Sequence, residues 1–299
     1  MHILTRTGET SDLLALENAS RDGHEYLVYA LLKQGNYTGS EIGKYGRALQ
    51  FASSNGHTSI VRLLLDNGAN IQIEGGKALL AASYAHLENE TVTQALLAEG
   101  VDPNTRGGKC GNALQTAAHR GHAKIVRLLL DYGADVNIEG GCYQTPLWAA
   151  SFLGREPVVQ LLLERGANVN ANGRHGSALY IASLENRANV VNMLLEHGAS
   201  ITEPGKSYSA ALYTASYNGH EKVVRILLAR GANVNAKGGE HGNALQAASF
   251  RGHEEVVRLL LDYGADINAK DGRLASAVSA ALSQKHHNVV DILRGYGAI

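Results

Sequence analysis

Cysteine is scarce in this chain: its 299 residues include only Cys110 and Cys142. Two cysteines exclude a disulfide framework, and the N-terminal stretch lacks the apolar segment of a secretory signal. No apolar run approaches the ~20 residues that span a bilayer as a helix. We therefore expect a cytoplasmic protein with no membrane segment.

An excess of charge of either sign is lacking too. Lys and Arg together number 27, and Asp and Glu number 28. This balance excludes the basic footprint typical of proteins that bind nucleic acid or anionic membranes. The hydrophobic content of 44% suffices for a substantial core, and the charged content of 18% is too low for a disordered chain.

Signatures of catalysis and metal binding are missing as well. The sequence has no His-Glu-x-x-His, no Cys-x-x-Cys, no Gly-x-Ser-x-Gly and no phosphate-binding Gly-x-x-x-x-Gly-Lys-[Ser/Thr]. Cys110 and Cys142 lie on fingers one repeat apart, and we expect one repeat spacing to exceed the ~7 Å Cα–Cα limit of a disulfide. We therefore expect two free thiols. No metal or cofactor is predicted.

The chain does contain an internal repeat, which predicts the fold. The repeated pattern is Ala-Leu-x-x-Ala-[Ser/Ala], a Gly-His pair, Val-Val-x-Leu-Leu-Leu and Gly-Ala-[Asp/Asn]. Its landmark leucine recurs every 30–35 residues, most often every 33, at Leu16, Leu49, Leu79, Leu114, Leu147, Leu179, Leu212 and Leu245, with Val278 in the last unit. We infer nine units in one continuous domain over residues 1–299, with the first and last units as caps.

Each unit is predicted to be two short helices. In the fourth unit the first helix spans about 113–120 and ends at Gly121, and the second spans about 123–132. A Gly-rich, turn-forming finger then leads to the next unit. In the third unit we expect a short finger before Lys77 and a longer loop between the helices, within residues 83–94. The histidine of the Gly-His pair recurs at the same position in five of the nine units, which favours a structural role: His24, His57, His122, His220 and His253.

These residues resemble the ankyrin repeat. The fifth unit comes nearest the family signature, with "TPLWAAS" at residues 145–151, while most units write "GNALQ" or "GSALY" instead, as in ankyrin arrays of filamentous fungi. The resemblance implies an all-α solenoid of about nine helix-turn-helix units with projecting β-turn fingers. It also implies that partners bind on a concave side, formed by finger tips and the exposed face of the first helices.

Two positions on each first helix, four residues apart, are expected to face that groove. The upstream position follows the landmark leucine and includes Gln115, Trp148, Tyr180, Tyr213 and Gln246; the downstream position includes Tyr84, His119, Phe152, Leu184, Tyr217 and Phe250. Over the nine units these 18 positions hold seven of the 17 aromatic residues, where random placement would give about one. Adding finger residues and the arginines after the downstream position, we predict a binding surface of Tyr84, His119, Arg120, Tyr143, Trp148, Phe152, Tyr180, Leu184, Tyr208, Tyr213, Tyr217, Phe250 and Arg251.

Alternatives remain at this stage. The upstream aromatics Trp148, Tyr180 and Tyr213 could pack against the fingers instead of binding a partner. An apolar pocket in the same groove could bind a small molecule or support catalysis, with His119, Cys110 and His175 as its polar groups. The chain could also be the recognition module of a larger signalling receptor. Our leading hypothesis is a monomeric scaffold that binds a protein or peptide partner.

Overall fold

The protein folds as consecutive helix pairs. The computed structural model describes residues 4–34, 45–86, 88–107, 111–201, 211–270, 272–273 and 275–298, with side chains from residue 12 onward. Within these ranges the chain forms eighteen helices in nine pairs, and none of them is long and apolar enough to cross a membrane. The predicted all-α repeat solenoid is confirmed.

The helix bounds follow the repeat. The first helices of the pairs are α1 (Leu4–Asp22), α3 (Gly46–Ser54), α5 (Ile71–Tyr84), α7 (Ala113–Arg120), α9 (Pro146–Phe152), α11 (Ala178–Leu184), α13 (Ala211–Tyr217), α15 (Ala244–Arg251) and α17 (Ala277–Ser283). The second helices are α2 (Glu25–Gln34), α4 (Thr58–Asp66), α6 (Glu90–Ala98), α8 (Ala123–Asp131), α10 (Glu156–Glu164), α12 (Ala188–Glu196), α14 (Glu221–Ala229), α16 (Glu254–Asp262) and α18 (His287–Gly295). A two-stranded antiparallel hairpin, β1 (Asn172–Gly173) and β2 (Gly176–Ser177), forms one finger.

The chain groups into two compact units, residues 1–149 with 164–167, and residues 150–163 with 168–299. In both units each first helix packs on the next first helix, as α3 does on α5 and α13 on α15. The core lies between the helix layers, where the landmark Leu114 and the second-helix residues Ile125 and Leu129 are fully buried. The single continuous domain, with its two capping repeats, stays a prediction.

The fourth repeat shows why these residues form a helix pair. The Asn112 side chain accepts a hydrogen bond from the Gln115 N–H, and the Gln115 side chain accepts one from the Asn112 N–H, which closes a capping box. Gly121 ends α7 in the left-handed conformation (φ 86°). The predicted first helix is thus confirmed to the residue, and the second ends one residue early, at Asp131.

The recurring histidines join each repeat to the one before it. The Nε2 atoms of His57, His122, His220 and His253 lie 2.9–3.0 Å from backbone carbonyl oxygens of Arg21, Ala85, Leu184 and Tyr217, respectively, at the ends of the preceding first helices. Such carbonyls have no partner inside their own helix. Asn89 and Arg187 make the same bond where the histidine is replaced, to Ser53 and Phe152. The structural role predicted for the histidines is confirmed at these four positions.

This junction predicts a loss of stability in acid. Burial lowers the pKa of His253 from the ordinary value of 6.5, and the bond to the Tyr217 carbonyl only partly opposes that. Because the folded-state pKa lies below the unfolded one, its stabilising contribution is complete above pH 6.5 and is lost as the pH falls through the folded pKa. His253→Asn keeps a hydrogen-bond donor, as Asn89 does, but does not titrate. The variant should therefore lose less stability than the wild type between pH 7 and pH 5, and the difference should be less than about 1 kcal/mol because the ring is only partly buried. Urea unfolding at both pH values measures this, and His287→Asn, on an exposed residue, should leave the pH dependence unchanged.

Asparagines connect successive fingers. Asn104 Nδ2 donates to the Gly133 carbonyl at 3.1 Å, while its Oδ1 accepts from the Asp135 N–H at 2.8 Å. Equivalent bonds run from Asn170 to Gly198 and from Asn235 to Gly264. These side chains fix the spacing of the fingers within each unit.

The third repeat departs from the prediction. Instead of a short finger before Lys77, helix α5 begins at Ile71, so that prediction was wrong. Asn70 caps this helix by accepting from the N–H groups of residues 72 and 73. Gly75 and Gly76 lie inside this helix, where a Cβ at either position would approach Val101 or Thr105 within 2.6 Å, so that only glycine fits without a shift of these side chains. The extra residues do lie between α5 and α6, as expected.

Helix α5 also buries a carboxylate. Glu74 is 3% exposed, and burial raises its pKa above 4.5, against the opposing effects of the N–H groups of Gly46 and Asn70 and of the charge of Lys77. Neither carboxylate oxygen has a hydrogen bond of good geometry within the described part of the chain. The ionised form is therefore disfavoured in the folded protein.

Glu74→Gln should stabilise the protein at neutral pH. Since the folded-state pKa is raised, the wild type is best stabilised below pH 4.5 and loses stability as the pH rises through the folded pKa. The glutamine variant avoids that loss and should be about 1 kcal/mol more stable at pH 7, with an advantage that shrinks toward pH 4. Urea denaturation across this range measures the difference. Glu99→Gln, on an exposed residue, is the control.

Candidate functional site

The downstream position of the first helices reaches solvent. Tyr84 is 54% exposed, and the five other predicted residues of this position are half-buried: His119, Phe152, Leu184, Tyr217 and Phe250. In each of the two compact units we call this surface the first-helix face. Because five of its six members are aromatic rings, each unit presents ring edges and faces that a partner could contact.

In the second unit four rings form a cluster that we call the aromatic stack. Tyr213 and Tyr217 lie one turn apart on α13, with ring centroids 6.3 Å apart. The His241 ring lies 5.5 Å from Tyr217 and 4.1 Å from Phe250, nearly parallel to both (6° and 19°). Residues from two adjacent repeats and the finger between them thus share one set of parallel rings.

The finger before α15 holds His241 in this position. Its base closes through a bond from the Gly238 N–H to the Gly242 carbonyl, and the His241 N–H donates to the Tyr213 hydroxyl oxygen at 3.3 Å. Gly239 lies against the Tyr213 ring, where a Cβ would come within 2.0 Å of Cζ. Tyr213 therefore supports the finger, which leaves Tyr217 and Phe250 as the rings whose remaining surface is available.

The first unit contains a related arrangement. The His119 ring stacks on Tyr143 of the next finger, with centroids 4.2 Å apart and planes inclined by 27°. The Arg120 guanidinium lies 4.7 Å from the Tyr84 ring centroid, in cation–π geometry, and 3.4 Å from Nδ1 of His86. In the second unit Arg251 lies in the same way over Tyr217, at 5.0 Å.

The upstream position is mostly interior. Trp148 is 9% exposed and Gln115 and Gln246 are 1% exposed, while Tyr180 and Tyr213 are half-buried. Gln115 Nε2 donates to the carbonyls of Gly140 and Gln144, at the next finger. The burial of Trp148 favours the packing alternative for this residue, whose role in binding stays a prediction.

Three other predicted site residues are Cys110, His175 and Tyr208. Cys110 and Tyr208 lie outside the described residues, and His175 is exposed on its finger. Over the ranges that the structure describes, no group of three His, Cys, Asp or Glu side chains could hold a metal. The small-molecule and catalytic alternatives stay predictions.

Sequence reasoning left His241 out of the predicted binding surface. The sequence places it at the finger position four before a landmark leucine, beside the aromatic positions of the first helices, but does not show that it lies at the centre of the stack. Phe51 was missed as well. Its ring centroid lies 4.0 Å from the Arg21 guanidinium and 5.8 Å from that of Arg47, and it follows Gln50, the upstream position of α3.

Comparison with known proteins agrees with the repeat geometry. The family model described as "Ankyrin repeats (3 copies)" matches residues 16–107, 79–173, 141–205 and 179–271. No curated protein matches the chain. The matched segments together run from residue 16 to residue 271, well over half of the chain, and the protein therefore belongs to the ankyrin-repeat family.

Proposed function

We propose that this protein binds a protein or peptide partner through the first-helix face and the adjoining fingers. Ankyrin repeats are generally protein–protein interaction modules. The observation that carries the proposal is the aromatic stack, in which Tyr217 and Phe250 are half-exposed on either side of His241. Rings that are held rigidly by their neighbours lose little conformational entropy on binding, and aromatic side chains dominate interface hot spots.

The chemistry of the face supports binding rather than turnover. His119 of the face is stacked on Tyr143, and His241 of an adjoining finger is stacked on Tyr217 and Phe250. A stacked ring presents a flat contact surface but has little freedom to move toward a substrate. The first-helix face therefore resembles an interface more closely than an acid–base site.

Alanine substitution tests the proposal. Tyr217→Ala/Phe250→Ala removes two half-exposed rings, so the variant should stay folded and lose at least about 2 kcal/mol of partner binding. Affinity capture from cell extract with quantitative mass spectrometry, followed by titration of the captured partner, measures the loss.

The matched control removes two tyrosines from the ends of the second helices. Tyr263→Ala/Tyr296→Ala takes away rings that are 45% and 47% exposed in the same unit. It should leave capture unchanged. Equal recovery of the same partner with the Tyr217→Ala/Phe250→Ala variant and with wild type would contradict the proposal.

A further inference from the structure

The two arginines that lie over tyrosine rings suggest which partners the first-helix face selects. We propose that Arg120 and Arg251 bind carboxylates, so that the partner contacts this face through an acidic segment. The inference rests on the proposed function and adds the charge of the ligand to it. The geometry of the two arginines and the distribution of charge between the two helix layers both support acidic selectivity.

The geometry is the same at both positions. Each arginine is the last residue of its first helix, and each guanidinium lies over the tyrosine of the preceding repeat, at 4.7 Å from the Tyr84 centroid and 5.0 Å from that of Tyr217. A guanidinium over one side of a ring keeps further N–H groups around its edge, and a carboxylate can accept two of them at once. The ring contact fixes the arginine before the ligand arrives, which lowers the entropic cost of binding.

The charges around these arginines favour an anion. From α7 to α17, the first helices contain no Asp or Glu, and apart from His119 their charged residues are Arg120 and Arg251. The second helix of each pair, from α8 to α18, contains at least one carboxylate, such as Asp131, Glu221 or Asp291. The balanced net charge of the chain therefore conceals an uneven distribution between the layers.

Because the first helices from α7 to α17 carry these two arginines and no carboxylate, a ligand that contacts their exposed face meets positive charge. Acidic segments are therefore attracted and basic ones are repelled.

Model peptides test the inference on the intact chain. The probe is a fluorescein-labelled peptide, Gly-Ser-Asp-Glu-Tyr-Asp-Glu-Ser-Gly, compared with a twin that has Asn and Gln for Asp and Glu, a twin that has Lys at those positions, and a labelled oligothymidine. Fluorescence anisotropy measures the dissociation constants. The acidic peptide should bind at least about tenfold more tightly than the amide twin. Its affinity should fall as the salt concentration rises from about 50 to about 300 mM.

The chain offers a matched pair of variants. Arg120→Gln/Arg251→Gln should weaken binding of the acidic peptide about tenfold and leave the amide twin unaffected. Arg127→Gln/Arg258→Gln removes the same charge at equivalent positions of α8 and α16, where both arginines are exposed, and should change neither. Circular dichroism checks that both variants are folded.

Each other outcome has a defined meaning. Equal binding of the acidic and amide peptides, weakened by Tyr217→Ala/Phe250→Ala, would retain the protein-binding function and overturn the acidic selectivity. Tighter binding of the lysine twin or of the oligothymidine would overturn it in favour of another ligand class. Binding of none of the probes would also overturn it, while partner capture decides the proposed function separately.

Discussion

Replacement of Trp148 by alanine is expected to lower the free energy of unfolding by about 4 kcal/mol. The side chain is 9% exposed although the repeat pattern places it at a position thought to face a groove. Its backbone N–H donates to the Thr145 hydroxyl in the first turn of α9, which fixes the start of the helix. Truncation of a buried Trp removes its burial energy and leaves a cavity, which together cost about 3–5 kcal/mol.

Urea unfolding of Trp148→Ala beside Tyr180→Ala measures this effect. Tyr180 occupies the same position in the next repeat but is half-buried, so its truncation should lower the free energy of unfolding by about half as much. A Trp148→Ala protein of wild-type stability that loses its partner would contradict the packing role. The same burial explains why a binding test should use Tyr217 and Phe250 and leave Trp148 intact.

Gln115→Ala is expected to have the second largest effect, a loss of about 3 kcal/mol. Gln115 closes the capping box with Asn112 and donates to the carbonyls of Gly140 and Gln144. Alanine would leave the Asn112 N–H and both finger carbonyls without this partner inside the protein, and each such group costs about 1–3 kcal/mol when buried. For a protein of this size the melting temperature should fall by about 5 °C.

The equivalent residue of the second repeat provides the control. Gln50 occupies the same position on α3 but is half-buried, and Gln50→Ala should change the melting temperature by less than about 2 °C. Calorimetry of the two variants compares them directly. Equal effects of the two substitutions would show that the finger contacts of Gln115 contribute little.

The sequence predicts the helix pairs well because the same local signals recur in every repeat. Asn112 and Gln115 provide the start of a helix and Gly121 its end, and neither depends on distant residues. The structural role of the histidines could also be predicted, since a histidine recurs at the position of His122 in several repeats, but the carbonyl that each one contacts came only from the structure. The prediction for the third repeat was wrong because its Gly75–Gly76 pair resembles the glycine pairs of the fingers, whereas here the pair lies in a helix and packs against Val101 and Thr105.

The site was harder to predict because periodicity gives the face of a helix but not the depth of burial. Trp148 and Tyr180 occupy one repeat position, yet the first is buried and the second half-buried. The His241 stack depends on how a finger closes and where Tyr213 directs its hydroxyl, and these are tertiary contacts without a sequence pattern. Arg251 could be named from its place after Phe250, but its position over Tyr217 came only from the structure.

Site-specific photo-crosslinking tests the central claim most directly. A benzophenone amino acid placed at position 217 keeps an aromatic ring on the first-helix face, and the same group at position 263 samples the end of a second helix. If the first-helix face binds the partner, irradiation should join the partner to the chain from position 217 and not from position 263. Crosslinks to the partner from position 263 alone would contradict the account.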